Sequence, residues 1–359
     1  MNAVLVHKIL VVLLGGTMLS KGVHLTPISS AKELLELFKD FWTPENIEFS
    51  FVKLRKTWDS GNVSFIDLII AARKIKCAYK DIDGVIVISG TGKAARITAG
   101  LSFIFRKSLQ KPILVTGSLK ASEEPGSDAP AQWVSVCRAM MGFLREGIVG
   151  VHWVWKSQVL LGTRLIKVSD TDEPAFVTPG RMPIATITDS GVIPDPLAPR
   201  KADNWQEIEL ELHDRFSRKM HSSIEVCVDD DPWLLKTMAN HFQRCQAVIL
   251  NVPDPPDRKW SHRYSVSWID AIEYAVNKGM FIGITFPWQP CRVNLAKYKL
   301  GYKAERAGAV GLGSLTLPAA EMKLRQAIAL FRSDREKIRE FLLTDLVGEL
   351  LPGDERKGN

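Results

Sequence analysis

The sequence predicts an α/β protein: a doubly wound, mostly parallel sheet followed by a second, smaller α/β domain. Three observations carry that prediction. Short apolar runs alternate with helix-period segments along most of the 359 residues. Several of the runs are apolar at every position, as a strand covered by helices on both faces requires. Three of them end in a glycine-containing turn, the place where a doubly wound sheet binds its ligand.

The first run, Leu10–Leu14, follows a lone Lys8 and imitates the start of a secretory signal. It is too short to cross a membrane, and Gly15-Gly16-Thr17 follows it in place of a small-residue cleavage site. A buried strand ending in a glycine turn accounts for it, which implies a soluble, cytoplasmic protein. Further strands are expected at Gly84–Ser89, Pro112–Thr116, Ile148–Trp153, Gln246–Asn251 and Phe281–Thr285. Trp153 and Trp155 alternate, so they share one sheet face and imply packing. Capping boxes at Ser30-x-x-Glu33 and Ser333-x-x-Glu336 mark helix starts, and Thr316 with Pro318 opens another helix. The rhythm breaks after Ile193, where Pro194, Pro196 and Pro199 precede a charged stretch. The expected organisation is therefore a domain at 1–192, a linker at 193–221 and a domain at 222–359.

With 46% hydrophobic and 24% charged residues, 25 Gly and 19 Pro, the composition excludes disorder, collagen and coiled coil. The formal charge of +7 is spread in short clusters such as Lys53-Leu54-Arg55-Lys56, which reads as a solvated face and leaves an anionic small ligand open. No aromatic–basic interleaving points to nucleic acid, and no segment is long and apolar enough for a membrane. Five scattered cysteines without a CxxC (Cys77, Cys137, Cys227, Cys245, Cys291) predict buried thiols in a reducing compartment, neither a disulfide framework nor a zinc site. Asp229-Asp230-Asp231 lacks further ligands at metal spacing and reads as a helix start or turn. Neither a metal nor a cofactor is expected.

The chemistry concentrates in the turns. Gly15-Gly16-Thr17 ends the first strand, Ser89-Gly90-Thr91-Gly92-Lys93 the second, and Thr116-Gly117-Ser118 the third, with Asp128 ten residues after Ser118. Glycine lets the backbone approach a ligand, and threonine presents a hydroxyl beside backbone N–H groups. A Gly-Thr pair after a strand is also an ordinary helix cap. The second turn lacks the spacing of a Walker phosphate loop.

The order of these turns resembles the bacterial-type L-asparaginase family, in its cytoplasmic, type I branch. The opening TGGTI signature looks like Leu14-Gly15-Gly16-Thr17-Met18, and DGxVxxHGTDTMEETA looks like the stretch from Asp83 to Ala99. KPVVLTGAM…SDGP is similar to Lys111–Ser118 with Ser127-Asp128, and DSSNMT to Asp59-Ser60-Gly61-Asn62-Val63-Ser64. Arg164, Lys167 and Phe176 match an arginine–lysine–phenylalanine spacing, and Arg292-Val293-Asn294-Leu295, Ala307–Val310 and Lys323-Leu324 match the C-terminal domain. The resemblance implies a two-domain asparaginase-like fold and nucleophilic amide hydrolysis through an acyl-enzyme. Thr17 is then the nucleophile, and Thr91 with Lys167 the second threonine–lysine pair. The backbones of Gly16, Gly90 and Gly92 belong to turns whose N–H groups hold the oxyanion, Ser60 contacts the substrate carboxylate, and Ser118 and Asp128 belong to the third turn. The ligand is a small amide or an acidic amino-acid-like molecule, and the assembly a homodimer or dimer of dimers.

The match departs in three places. The GTD motif reads Gly90-Thr91-Gly92, which removes the carboxylate that holds a substrate ammonium. No tyrosine matches the family's loop tyrosine, since the first in the chain is Tyr79, although His24 lies in that loop. The glycine-asparagine signature that reaches a neighbouring subunit's site is replaced by Asn251-Val252-Pro253-Asp254-Pro255-Pro256. The expected function is a divergent amidohydrolase of altered specificity. Its alternative is a catalytically weakened relative that binds a small ligand or partner as a sensor or regulatory subunit. The amidotransferase subunit acting on misacylated tRNA shares this fold but carries an extra N-terminal domain, whereas this chain begins at the first strand.

Overall fold

The structure is a computed structural model that describes residues 5–21, 26–28, 36, 44–58, 60–171, 173–227, 229–255, 257 and 266–354. It divides into two compact units, Met1–His213 and Asp214–Asn359.

The first unit is built on strands β1 (His7–Gly15), β2 (Ile47–Trp58), β3 (Gly84–Ile88), β4 (Pro112–Thr116), β5 (Gly150–Trp155) and β6 (Gln158–Leu161). A short ribbon of β7 (Ile166–Lys167) and β8 (Phe176–Val177) follows, then β9 (Ala185–Thr188) and β10 (Gly191–Pro194). The main sheet runs β10-β9-β6-β5-β4-β3-β1-β2. It is parallel from β2 through β5 and antiparallel beyond. Helices α1 (Phe65–Ala78), α2 (Ala94–Phe105) and α3 (Ala129–Glu146) make the crossovers. Ile9 to Leu14 are each at most 2% exposed, and Val85 to Ile88 and Ile113 to Val115 are fully buried, which is why these runs are apolar on both faces. Trp133, Val136, Met140 and Phe143 of α3 share one core with Ile86, Leu114 and Val154. Because β1 has β2 on one side and β3 on the other, the strand order reverses at β1/β3, and a doubly wound sheet binds its ligand beyond the carboxyl ends of the strands at such a point.

The structure moves several expected boundaries. The strand expected at Ile148–Trp153 begins at Gly150 and continues to Trp155, so both tryptophans lie on it with ring centroids 6.2 Å apart. Strand β2 has no counterpart among the expected strands, since it alternates half-buried Ile47, Phe49 and Phe51 with polar residues and includes the basic cluster at 53–56. The segment expected as a linker is largely part of the first unit. Ile193 and Pro194 lie in β10, Val149 N–H donates to Pro199 O (2.9 Å), Asp195 N–H to Ile184 O (2.8 Å) and His213 N–H to Ile104 O (2.8 Å). The prolines exclude helix there without excluding packing.

The second unit has a parallel sheet in the order β11 (Met220–Glu225), β12 (Ala247–Asn251), β13 (Phe281–Thr285) and β14 (Val310–Gly311). Helices α4 (Trp233–Asn240), α5 (Trp268–Asn277), α6 (Lys299–Arg306), α7 (Leu317–Phe331) and α8 (Arg335–Leu343) accompany it. Thr316 caps α7, accepting from Ala319 N–H at 3.4 Å. The cap of α8 is Asp334, not Ser333, and it accepts from Lys337 N–H at 3.2 Å. The Ser30–Glu33 box lies outside the described residues. Asp230 and Asp231 accept backbone N–H groups of Cys227 and Trp233, as turn residues do. The buried Lys323 ammonium donates to Glu349 (2.5 Å) and to the carbonyls of Leu342 and Thr344, tying the chain beyond α8 into this unit.

All five cysteines are free thiols, but only Cys137 is buried, with its pKa pushed up by burial; Cys77 and Cys227 are exposed. Cys77 sits on the solvent side of α1, which an isolated cysteine in a sequence does not reveal. Among the described residues no helix is long and apolar enough to cross a membrane.

His152, on β5, is 1% exposed, and its Nε2 lies 2.9 Å from Val149 O. Burial pushes its pKa down to about 4, against the opposing effect of that contact. The folded state therefore keeps the ring neutral while the unfolded chain protonates near pH 6.5, so the contribution is complete above about pH 6.5 and is lost as pH falls toward 4. In urea titrations, the stability of the native protein relative to His152→Gln should fall by as much as about 3 kcal/mol between pH 7.5 and 4. A pH-independent difference would contradict this.

Candidate active site

The three glycine turns meet backbone to backbone. A Cβ on Gly16 would stand 2.3 Å from Gly90 N and 2.6 Å from Ser89 C, and Gly16 itself has φ +98°, which other residues rarely adopt. A Cβ on Gly117 would stand 2.2 Å from Ser89 O and 3.5 Å from Trp153 Cη2. The ends of β1, β3 and β4 thus touch where no side chain fits. Thr17 and Thr91 each follow one of these touching glycines. Ser89 N–H donates to Thr116 O at 2.9 Å, and the Ser122 hydroxyl donates to Met18 O at 3.0 Å, which ties the loop after the third turn to the first.

Thr91 is 7% exposed, and its Oγ1 accepts from Lys167 Nζ at 3.0 Å across a sequence separation of 76 residues. The ribbon of β7 and β8 delivers that lysine. Lys167 pairs with Phe176, whose ring lies 5.0 Å from Trp153 and 4.9 Å from Trp155. Arg164 is fully buried and donates through Nε to Pro179 O at 2.8 Å, fixing the approach to the ribbon. Lys167 also pairs with Asp170.

The remaining sequence candidates divide. Thr17 is partly exposed at the start of a short 3-10 turn, next to the Gly16–Gly90 contact. Gly90 belongs to that contact, whereas Gly92 is exposed. Ser118 is buried and donates to Lys120 O at 2.6 Å. Asp128 accepts from Leu119 N–H (3.0 Å) and Lys120 N–H (2.9 Å), so its carboxylate shapes the loop of the third turn. Ser60 lies in a 3-10 turn, Ser60–Asn62, with its side chain outside the described residues, as are Asp59 and His24.

Lys93 is not among the motif-derived site residues, yet it joins two of these pieces. Its ammonium donates to Gly61 O (2.5 Å) and Val63 O (3.0 Å), latching the segment after Ser60 to the second turn. Burial lowers its pKa, Arg96 adds to the effect, and Asp67 opposes it. Ser89 is a second such residue: its fully buried hydroxyl has no hydrogen-bond partner among the described residues. Among the described residues no three His, Cys, Asp or Glu side chains gather as a metal needs.

The family model "Asparaginase, N-terminal" matches residues 8–195. The chain belongs to the asparaginase family. Its fold is that of the asparaginase-family amidohydrolases. The thermostable L-asparaginase from Thermococcus kodakarensis superposes on 96% of this chain and 99% of its own with a TM-score of 0.80 at 24% identity. L-asparaginase I from Vibrio cholerae gives 0.80 at 20% identity over the same shares. Among sequences, L-asparaginase 1 of Escherichia coli is 25% identical over 89% of this chain and 90% of its own length. A glutamyl-tRNA(Gln) amidotransferase subunit of Aeropyrum pernix is 30% identical over 78% of this chain and 63% of its own. This asparaginase-family chain spans about three fifths of the length of the amidotransferase subunits from Aeropyrum pernix, Thermococcus kodakarensis and Sulfurisphaera tokodaii.

Gly117→Ala should destabilise the protein by at least about 2 kcal/mol or abolish soluble expression, because backbone must move. Gly61→Ala, where a Cβ meets nothing within 4 Å, should leave the urea midpoint unchanged. Equal effects of the two substitutions would contradict the packing of the turns.

Proposed function

We propose that this chain hydrolyses the side-chain amide of a small substrate through a threonine nucleophile, releasing ammonia, with specificity shifted away from asparagine. The observation that carries the reading is the 3.0 Å hydrogen bond from Lys167 Nζ to Thr91 Oγ1 beside the first turn. A threonine hydroxyl is a weak nucleophile until a neighbour takes its proton. In this reading Thr17 Oγ1 bonds to the amide carbon as its proton passes through the Thr91 hydroxyl to Lys167 Nζ in its amine form, and that proton is handed on to the leaving nitrogen as the C–N bond breaks. The leaving nitrogen takes up a proton and departs as ammonia, and water then hydrolyses the Thr17 ester. Backbone N–H groups of the turns hold the oxyanion.

The shift in specificity rests on charge. Where the family motif carries one Asp and two Glu, this chain has Gly92, Ala95 and Arg96, and Lys93 replaces the following threonine. A site depleted of acid favours a ligand that lacks the α-amino group of asparagine or carries extra negative charge. The exposed Gly92 and the missing loop tyrosine also favour the second reading, a catalytically weakened sensor or regulatory subunit. Likeness to the amidotransferase subunits is compatible with a protein partner.

The test is ammonia release from asparagine, glutamine and a panel of amino-blocked amides. Turnover is expected with an amide that lacks the free amine, and turnover of asparagine at a sub-millimolar KM would count against the shift in specificity. Thr17→Ala should lower kcat about a thousandfold or more. Release that survives this substitution removes Thr17 from the mechanism. No release from any amide, with a thermal shift from a small acid, supports the sensor instead. Light scattering should give a homodimer or a dimer of dimers, and a monomer at micromolar concentration would contradict that assembly.

A further inference from the structure

We propose that Asp170 is the positioning residue that holds the Lys167 amine over Thr91, so that the chain supplies the third member of a threonine–lysine–carboxylate relay from the loop between β7 and β8. The inference rests on the amidohydrolase reading above and extends it to a residue outside every motif in the sequence. A base that activates a hydroxyl works best when a third group fixes its orientation. Among the described residues, Lys167 Nζ contacts two side chains: Thr91 Oγ1 at 3.0 Å and the carboxylate of Asp170. The turn that bears Thr91 brings no acid of its own, since Gly92 follows it.

The loop is built to return Asp170 to its lysine. Val168 N–H donates to Ala175 O at 2.9 Å, closing the loop at the mouth of the ribbon, and Thr171 N–H donates to Ser169 Oγ at 3.1 Å within it. Glu173, the other described acid of the loop, is engaged elsewhere. Its carboxylate takes Lys156 Nζ at 2.7 Å, Trp155 Nε1 at 3.3 Å and Ala175 N–H at 3.1 Å. Asp128, the acid of the third turn, is bound to the backbone of Leu119 and Lys120. Among the described residues, Asp170 is the carboxylate in contact with the amine.

The ion pair is lopsided: the Asp170 side chain is 80% exposed and that of Lys167 19%. Pairs that open to water add little to stability. Its consequence is therefore orientation, and loss of orientation at a proton-transfer group appears in kcat.

The experiment compares Asp170→Asn and Asp170→Glu in the full chain. With the best substrate of the amide panel, Asp170→Asn should lower kcat about tenfold with KM and Tm unchanged, and Asp170→Glu should recover most of the rate. Unchanged kcat, or a loss confined to KM or Tm, would overturn the proposal. A second readout does not need activity. Lys167 is acetylated with an N-hydroxysuccinimide ester and quantified by peptide mass spectrometry. Asp170→Asn should speed modification of Lys167 without altering other lysines, and an unchanged rate would overturn the pinning of the amine. If the native chain releases ammonia from no amide, the amidohydrolase reading fails, and the labelling result alone decides whether Asp170 holds Lys167.

Discussion

The architecture turns on one steric constraint: the carboxyl ends of β1, β3 and β4 touch through backbone atoms with no room for a Cβ at Gly16 or Gly117. Everything at the candidate site hangs from that contact. It sits at the reversal of strand order, where the carboxyl ends of parallel strands present their turns side by side. Fully apolar strands buried on both faces hold the sheet rigid beneath it, so the turns are placed by the core rather than by the loops that follow. Thr17 and Thr91 take their positions from the neighbouring glycines.

The charged groups around the turns are arranged by the same logic of fixed backbone. Lys93 would be costly as a half-buried free ammonium, and two carbonyls of the 61–63 segment satisfy it instead. Asp128 has both oxygens on backbone N–H groups, so it acts as a brace for a loop. Lys167 directs its amine at the hydroxyl of Thr91. It arrives there because Phe176, Trp153 and Trp155 pack the ribbon against β5.

What could be read in advance follows from how local each signal is. The buried parallel strands announce themselves, since a run such as Val85–Ile88 has no polar face. Strand β2 does not, because half-buried Ile47, Phe49 and Phe51 alternate with exposed Glu48 and Ser50, so it carries no continuous apolar run. The antiparallel strands past β5 are four residues each, too short for a period to show. Thr17, Thr91 and Lys167 stand out through motif spacing. Lys93 and Asp170 do not, since one acts on carbonyls 30 and 32 positions away and the other depends on how a loop folds back. Ser118 and Asp128 stand out as well, and the structure gives them loop contacts that spacing alone does not distinguish from ligand contacts. The proline-rich segment after Ile193 reads as a linker because proline excludes helix, and it packs all the same.

In the proposed reaction the glycine contact poises the hydroxyl of Thr17 for attack, with Thr91 and Lys167 beside it. Incubating the protein with an electrophilic analogue of a small side-chain amide, followed by peptide mass mapping, tests this most directly. One covalent adduct on Thr17, formed more slowly in Lys167→Met, is the predicted result. An adduct on any other residue, or unchanged labelling of Thr17 when Lys167 is replaced, would contradict it.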